Sequence, residues 1–181
     1  MSTGRWIITD GTRWFFDAGA DCLDFTSGPD TEVPHWLLTR FARLPGDAFG
    51  ERELLDTLAL RAAIARLAAT TIEQRRPSRD DVDTLNLFAA TPDVPPVLRG
   101  GHRQAGTGTI RVGQVLSTLA RDAVTLFSAE AEGAGRIRQC AADDCDIIFH
   151  DESRTGTRRW CSMQRCGNRA KVRAFRAKVG S

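Results

Sequence analysis

Between residues 51 and 75 apolar side chains recur at three- and four-residue steps. Leu54, Leu55, Leu58, Ala62, Ala65, Ala69 and Ile72 make one stripe, which predicts the longest helix of the chain with that stripe turned to the core. The same period in Leu116, Leu119, Ala120, Ala123, Val124 and Phe127 predicts a second long helix over 112–130. Shorter helices are predicted at 21–25 and after Pro34, the latter with Trp36, Leu37, Leu38, Phe41 and Leu44 as its apolar positions. Another follows Ser78, where Ser78 to Asp81 resembles a capping box ahead of Val82, Leu85, Leu87 and Phe88. Near the start, two short apolar runs flank Asp10-Gly11-Thr12, the signal of a β-hairpin turning on Asp-Gly. Residues 91–109, rich in Pro and Gly, read as a crossover loop or flap, and Gly133-Ala134-Gly135 as a boundary. The pattern predicts a mainly α domain with a small N-terminal β-hairpin over 1–135, then a separate module over 136–181.

That module is built around cysteine. Cys140 and Cys145 are separated by four residues, Cys161 and Cys166 by four, and the two pairs by fifteen. Two pairs held in tight turns can surround a tetrahedral Zn²⁺, and four thiolates leave no position for water, so one structural zinc is expected. Disulfides or free thiols are the alternatives. The first six residues hold no apolar signal core, which favours the reducing cytoplasm and unbridged cysteines. His150, between the pairs, is a competing ligand, while Asp151 and Arg154 are candidates to support the coordinating turns.

Between the pairs, residues 147–149 and 158–160 flank a turn-rich 153–157 and predict a second hairpin. The second pair runs straight into a predicted helix over 162–178. Knuckle, hairpin, then a helix carrying the last ligands is a treble-clef-like order, with a ribbon-like one as the alternative. On the helix, Val172, Phe175 and Val179 are expected to pack inward. Arg165, Arg169, Arg173 and Arg176 recur on a neighbouring face.

Charge sharpens this picture. Residues 136–181 carry eleven Arg and Lys against five Asp and Glu, a formal +6, whereas 1–135 carry a formal −4. The positive charge sits on the cysteine module, where a nucleic acid would be sought first; a solvated basic tail is the plainer reading. Arg158, Arg159, Arg165, Asn168, Arg169, Lys171, Arg173 and Arg176 are the candidate DNA contacts.

The run Cys140-Ala141-x-Asp143-x-Cys145, then Phe149-x-Asp151-x-Ser153-Arg154, Arg158-Arg159-Trp160-Cys161-Ser162-Met163 and Cys166-Gly167-Asn168-Arg169-x-Lys171, closely resembles the CGNR zinc finger. In that family the finger follows a helical domain called ABATE, and Cys22-Leu23-Asp24-Phe25 looks like the Leu-Asp-Phe-Val-Asn-Thr signature near that domain's start. Thr26 and Ser27 depart from the signature. The resemblance implies a stress-induced transcription regulator with Cys140, Cys145, Cys161 and Cys166 as zinc ligands. It places Gly167, Asn168 and Arg169 at the motif positions after the last ligand. From chemistry alone, Asn168 can bond either a knuckle carbonyl or a phosphate.

Catalysis is not expected. Asp17, Cys22, Asp24, Asp30 and His35 could be assembled into a site only by bringing Cys22 and His35 together as nucleophile and base, and Cys22 among apolar neighbours reads as a buried side chain. No phosphate-cradling Gly loop or nucleophile elbow is present. The helical domain is left as a sensor or dimerisation module. Trp6, Trp14 and Trp36 either enclose a pocket for a small ligand or fill the core. A zinc-stapled adaptor for a protein partner, without direct DNA contact, is the rival to the DNA reading. No run of about 18 apolar residues occurs, so no membrane span is expected.

Overall fold

The structure is a computed structural model that describes residues 4–9, 12–98 and 108–179. Strands β1 (Arg5–Thr9) and β2 (Thr12–Phe16) pair antiparallel as the hydropathy pattern predicts, although the Asp10-Gly11 turn lies outside the described residues. Helices follow in order: α1 (Asp21–Phe25), α2 (Val33–Arg40), α3 (Glu51–Ile72), α4 (Arg79–Ala89) and α5 (Val112–Ala131). A two-stranded sheet of β3 (Ile137–Gln139) and β4 (Ile148–His150) and a closing helix α6 (Asn168–Val179) complete the chain. Of the 91–109 segment, residues 99–107 lie outside the described residues. No described helix is long and apolar enough to cross a membrane.

Helices α3, α4 and α5 pack on one another, and α1 packs on α5. Leu116, Leu119, Ala120 and Ala123 of α5 are buried as expected. The face of α3 is not the expected one. Its buried positions are Thr57, Leu60, Arg61, Ala63, Ile64, Leu67, Ala68 and Thr70, whereas Leu54, Leu55 and Leu58 are exposed. A polarity reading rejects this face because it contains Thr57 and Arg61, and both are satisfied inside. Thr57 Oγ1 donates to Glu53 O at 2.6 Å. Arg61 donates Nε to Asp30 at 2.7 Å and its terminal nitrogens to the carbonyls of Phe25 and Gly28, tying the turn after α1 to α3. A buried guanidinium is tolerated where each donor finds an acceptor.

The helix starts use side chains differently from the expected capping box. Ser78 takes the N-cap position of α4 but makes no side-chain cap bond, and the buried Asp81 carboxylate accepts from Arg66 Nε of α3 at 2.9 Å rather than reaching back to the N-cap. Glu53 and Gln114 instead reach back to the Gly50 and Arg111 amides, at 3.1 and 3.0 Å, at the starts of α3 and α5.

After α5 the chain turns through Gly133 and Gly135, both with positive φ, and Glu130 Oε1 receives the amides of Arg136 and Ile137. The C-terminal module then rests on the helical part. Phe149 is wholly buried and joins Trp14, Phe16 and the four C-terminal cysteines in one core cluster. The His150 amide donates to Ala18 O at 2.6 Å, Arg158 Nη2 to Asp17 O at 2.8 Å, and the Phe15 amide to Gln164 Oε1 at 3.1 Å. Trp14 and Trp36 are buried in the core, so these two take the core-filling role; the side chain of Trp6 lies outside the description.

Candidate metal centre and basic helix

The second hairpin is not where the apolar runs place it. Residues 158–160 are not a strand; β4 pairs instead with β3, which precedes the first cysteine. Cys140-x4-Cys145 is itself the reversing turn, so the segments on its two sides are the ones brought into register. Residues 158–160 return alongside the knuckle, with the Ala141 amide donating to Arg159 O at 2.9 Å. Cys166 lies in a π-type turn over Met163–Gly167 that leads directly into α6, which gives the treble-clef-like order.

The four thiols converge. Sγ of Cys140, Cys145, Cys161 and Cys166 all lie within 4.8 Å of one another, and all four residues are buried. The Cys145–Cys161 and Cys161–Cys166 sulfur separations are 3.7 and 3.6 Å. Disulfide sulfurs sit about 2.05 Å apart. A tetrahedral Zn²⁺ with Zn–S bonds of about 2.3 Å places its sulfurs about 3.8 Å apart. The donor set therefore fits zinc, and no other described group of His, Cys, Asp and Glu gathers in this way. His150 is turned away, its Nδ1 lying 3.4 Å from Gly19 O.

Electrostatics make the cluster dependent on a cation. Burial pushes the Cys145 thiol up to about 11, and burial with the charges of Cys145, Cys140 and Cys166 raises Cys161 much further. Burial opposes the Cys140 thiolate too, but hydrogen bonds from the Cys161 and Ala142 amides and from the Cys145 and Cys161 thiols together hold Cys140 below the ordinary range. Asp151 organises the loop between the pairs. Its buried carboxylate accepts the Ser153 and Arg158 amides, each at 2.9 Å, with Arg138 Nε at 3.6 Å. Burial raises its pKa, yet these bonds prevail and hold it below the usual 3.8. Arg154, the other expected support, is exposed.

A depressed carboxylate stabilises the fold fully above its unfolded pKa and loses that contribution only as pH falls through the lower folded value. Asp151→Asn should therefore destabilise the protein at neutral pH by about 1–3 kcal/mol. The deficit should shrink in melts run below pH 4; a deficit independent of pH would contradict the role given to Asp151.

The eight candidate DNA contacts divide. Lys171, Arg173 and Arg176 are exposed on α6, and Arg159 is exposed with its guanidinium 5.1 Å from the Trp160 ring centre. Arg173 also pairs with Asp143 at 3.3 Å and Asp144 at 3.1 Å. Arg158 is turned inward, over the Phe149 ring at 4.3 Å and donating to the carbonyls of Asp17, Trp160 and Cys161. Arg165 stacks on Trp14 at 5.1 Å. Asn168 Nδ2 donates to Gln164 O at 3.1 Å, so its partner is a knuckle carbonyl. Arg169 reaches Asp144 and the sulfur of Cys166.

The apolar side of α6 does not pack inward. Val172, Phe175 and Val179 are 48%, 68% and 70% exposed, because α6 leaves the metal turn tethered through Asp143 and Asp144 rather than through an apolar seam. Gly167 has a close-contact role instead. A Cβ there would lie 2.8 Å from Met163 Sδ and 3.2 Å from Trp160 Cδ1.

Elsewhere, Cys22 is wholly buried and its pKa is raised by burial and by Asp122, the opposite of an activated nucleophile, while His35 is exposed. Asp24 accepts the Ala18 amide, and Asp30 holds Arg61. A cavity of about 950 Å³ opens between the loop before α3 and the start of α5, lined by Pro45, Glu53, Asp56, Thr91, Arg111 and Gln114 among others. Neither Trp14 nor Trp36 lines it.

A helical domain bearing a four-cysteine structural zinc finger is the class these features define. The family models agree in the same order. Residues 22–130 match ABATE, described as "Putative stress-induced transcription regulator", and residues 136–179 match the CGNR zinc finger. The chain belongs to the ABATE family and carries a CGNR zinc finger at its C-terminal side. No curated protein matches it.

Proposed function

We propose that this protein is a DNA-binding transcription regulator of a stress response, acting in the cytoplasm. In this reading, Cys140, Cys145, Cys161 and Cys166 hold one zinc whose part is structural. It fixes both knuckles and the start of α6 and supplies the positive charge that four buried thiolates require. Residues 1–135 form the sensing or dimerising domain and 136–181 the DNA-binding one. The observation that carries the reading is the set of exposed basic residues on α6. Lys171, Arg173 and Arg176 project from a helix rooted at the metal centre, within the last 46 residues, whose formal charge is +6, and Arg159 is exposed in the same segment. Arg173 and Arg176, one turn apart, can follow successive phosphates, with Lys171 reaching out from another side of the helix.

The test is the salt dependence of DNA binding by the zinc-loaded protein. Replacing Lys171, Arg173 and Arg176 singly by Gln should each reduce the slope of log K against log salt by about one. Three unchanged slopes would contradict the assignment. Asp143→Asn should have the opposite sign, raising affinity by up to about fivefold, because it removes a carboxylate competing with phosphate for Arg173.

The exposed Val172, Phe175 and Val179 favour a second reading, an adaptor that lays α6 in an acidic, apolar-floored groove of another protein. Salt-sensitive DNA binding by the protein alone would set that reading aside.

A further inference from the structure

We propose that Arg169 is the charge-compensating donor of the zinc centre, a positioning residue that acts through the Cys166 sulfur and holds α6 to the first knuckle rather than contacting phosphate. The inference rests on the zinc site and goes beyond the ligand set. One helical turn separates Arg169 from Cys166, and its Nη2 lies 3.4 Å from Cys166 Sγ. The same guanidinium donates Nη1 to Asp144 Oδ2 at 2.8 Å, and Asp144 lies inside the first knuckle, between Cys140 and Cys145. One planar fork thus spans the two halves of the metal site. Its Nε is buried and makes no hydrogen bond, so the base of the fork also faces protein.

The chemistry calls for such a group. Zn²⁺ with four thiolates carries a net charge of −2 in a buried site, and N–H···S bonds spread that charge. The Cys161 amide does this for Cys140, at 3.4 Å. Arg169 does it for Cys166 and adds a full positive charge. A lysine has no rigid fork with which to hold a sulfur and a carboxylate at fixed spacing. Arg173 shares Asp144 without a described contact to sulfur, which makes it the natural comparison.

The experiment uses the full chain as wild type, Arg169→Gln, Arg169→Lys, Arg173→Gln and Asp144→Asn. Zinc affinity is read by competition with a chromophoric chelator. The sulfur-to-metal charge-transfer band is read after loading with Co²⁺, whose ligand-field bands report whether the tetrahedral site has formed. Arg169→Gln should weaken zinc binding by about 10- to 100-fold. It should also move the charge-transfer band to lower energy, because an N–H···S bond stabilises the sulfur lone pair. Arg169→Lys should recover part of the affinity but not the band position. Arg173→Gln should leave the band in place and the affinity within about fivefold. If Arg169→Gln does not form the tetrahedral site, Asp144→Asn decides. Loosening the fork should shift the band in the same direction by less.

A wild-type band and affinity in Arg169→Gln, or an unshifted band in Asp144→Asn where the first variant fails to form the site, would overturn the proposal. Absence of thiolate charge transfer in the wild type would instead overturn the zinc site on which it rests.

Discussion

Replacing Cys161 by Ser should reduce bound zinc from one per chain to below about one tenth and unfold the C-terminal module. Cys161 links the two cysteine pairs. Its sulfur lies 3.7 Å from that of Cys145 and 3.6 Å from that of Cys166, and its amide donates to Cys140. A serine hydroxyl at that point neither ionises nor reaches the metal as a thiolate does. Cys145 then keeps the burial that disfavours its ionisation without the cation that offsets it. Binding of structural zinc in such modules is worth about 10–16 kcal/mol, more than a small finger recovers from its own core. Phe149 and the cysteines share a core with Trp14 and Phe16, so the damage should not stop at the finger. Melting of the helical domain should fall as well. The control is Cys22→Ser, in which a wholly buried cysteine outside the cluster is replaced and zinc stays at one per chain. Full zinc retention in Cys161→Ser, measured by elemental analysis after gel filtration, would contradict the site.

Gly19→Ala should be strongly destabilising although it leaves every zinc ligand in place. Gly19 has φ +76, where a side chain costs about 1–2 kcal/mol. A Cβ built there would lie 2.4 Å from the His150 carbonyl oxygen, which is backbone and cannot rotate away. The neighbouring bonds are the ones that seat the finger on the helical part: His150 amide to Ala18 O at 2.6 Å, and Arg158 Nη2 to Asp17 O at 2.8 Å. Strain and displaced packing together should cost about 2–4 kcal/mol, or about 5–15 °C in melting temperature. Amide exchange should rise around 149–151 while zinc remains bound, since no ligand is touched. Gly46→Ala has no atom within 4 Å of its Cβ and should melt like the wild type. Equal melting of Gly19→Ala and Gly46→Ala would show that the seam is not held as described.

Where chemistry depends on spacing, the chain is legible. The cysteine pairs and the buried side of α5 both follow from intervals between residues of one type. It is illegible where a polar residue is buried with a distant partner. Thr57 and Arg61 lie on the core face of α3, and Arg61 is satisfied by Asp30 and by the carbonyls of Phe25 and Gly28. A periodicity argument that rejects polar positions therefore chooses the wrong face. Arg158 and Arg169 show the same effect in the finger. Both look like free cations in sequence, and both are turned inward onto carbonyls, an aromatic ring, a carboxylate or a sulfur. The second hairpin was within reach: a four-residue cysteine knuckle reverses the chain, so the strands flanking it, and not those flanking the later turn, should pair. Asp143 enters the sequence reading only as a motif position, and Asp144 gives no signal of its own. Only the close approach of α6 to the knuckle reveals them as its anchor.

DNA binding by the zinc-rooted basic helix is the proposal on which the assigned role depends. The most direct test is retention of labelled fragments of the source genome by the full chain, zinc-loaded and zinc-stripped, at low and near-physiological salt. The account predicts that the loaded protein retains a preferred subset, weakens steeply as salt rises, and loses that preference when stripped. No retention by the loaded protein even at low salt would contradict it.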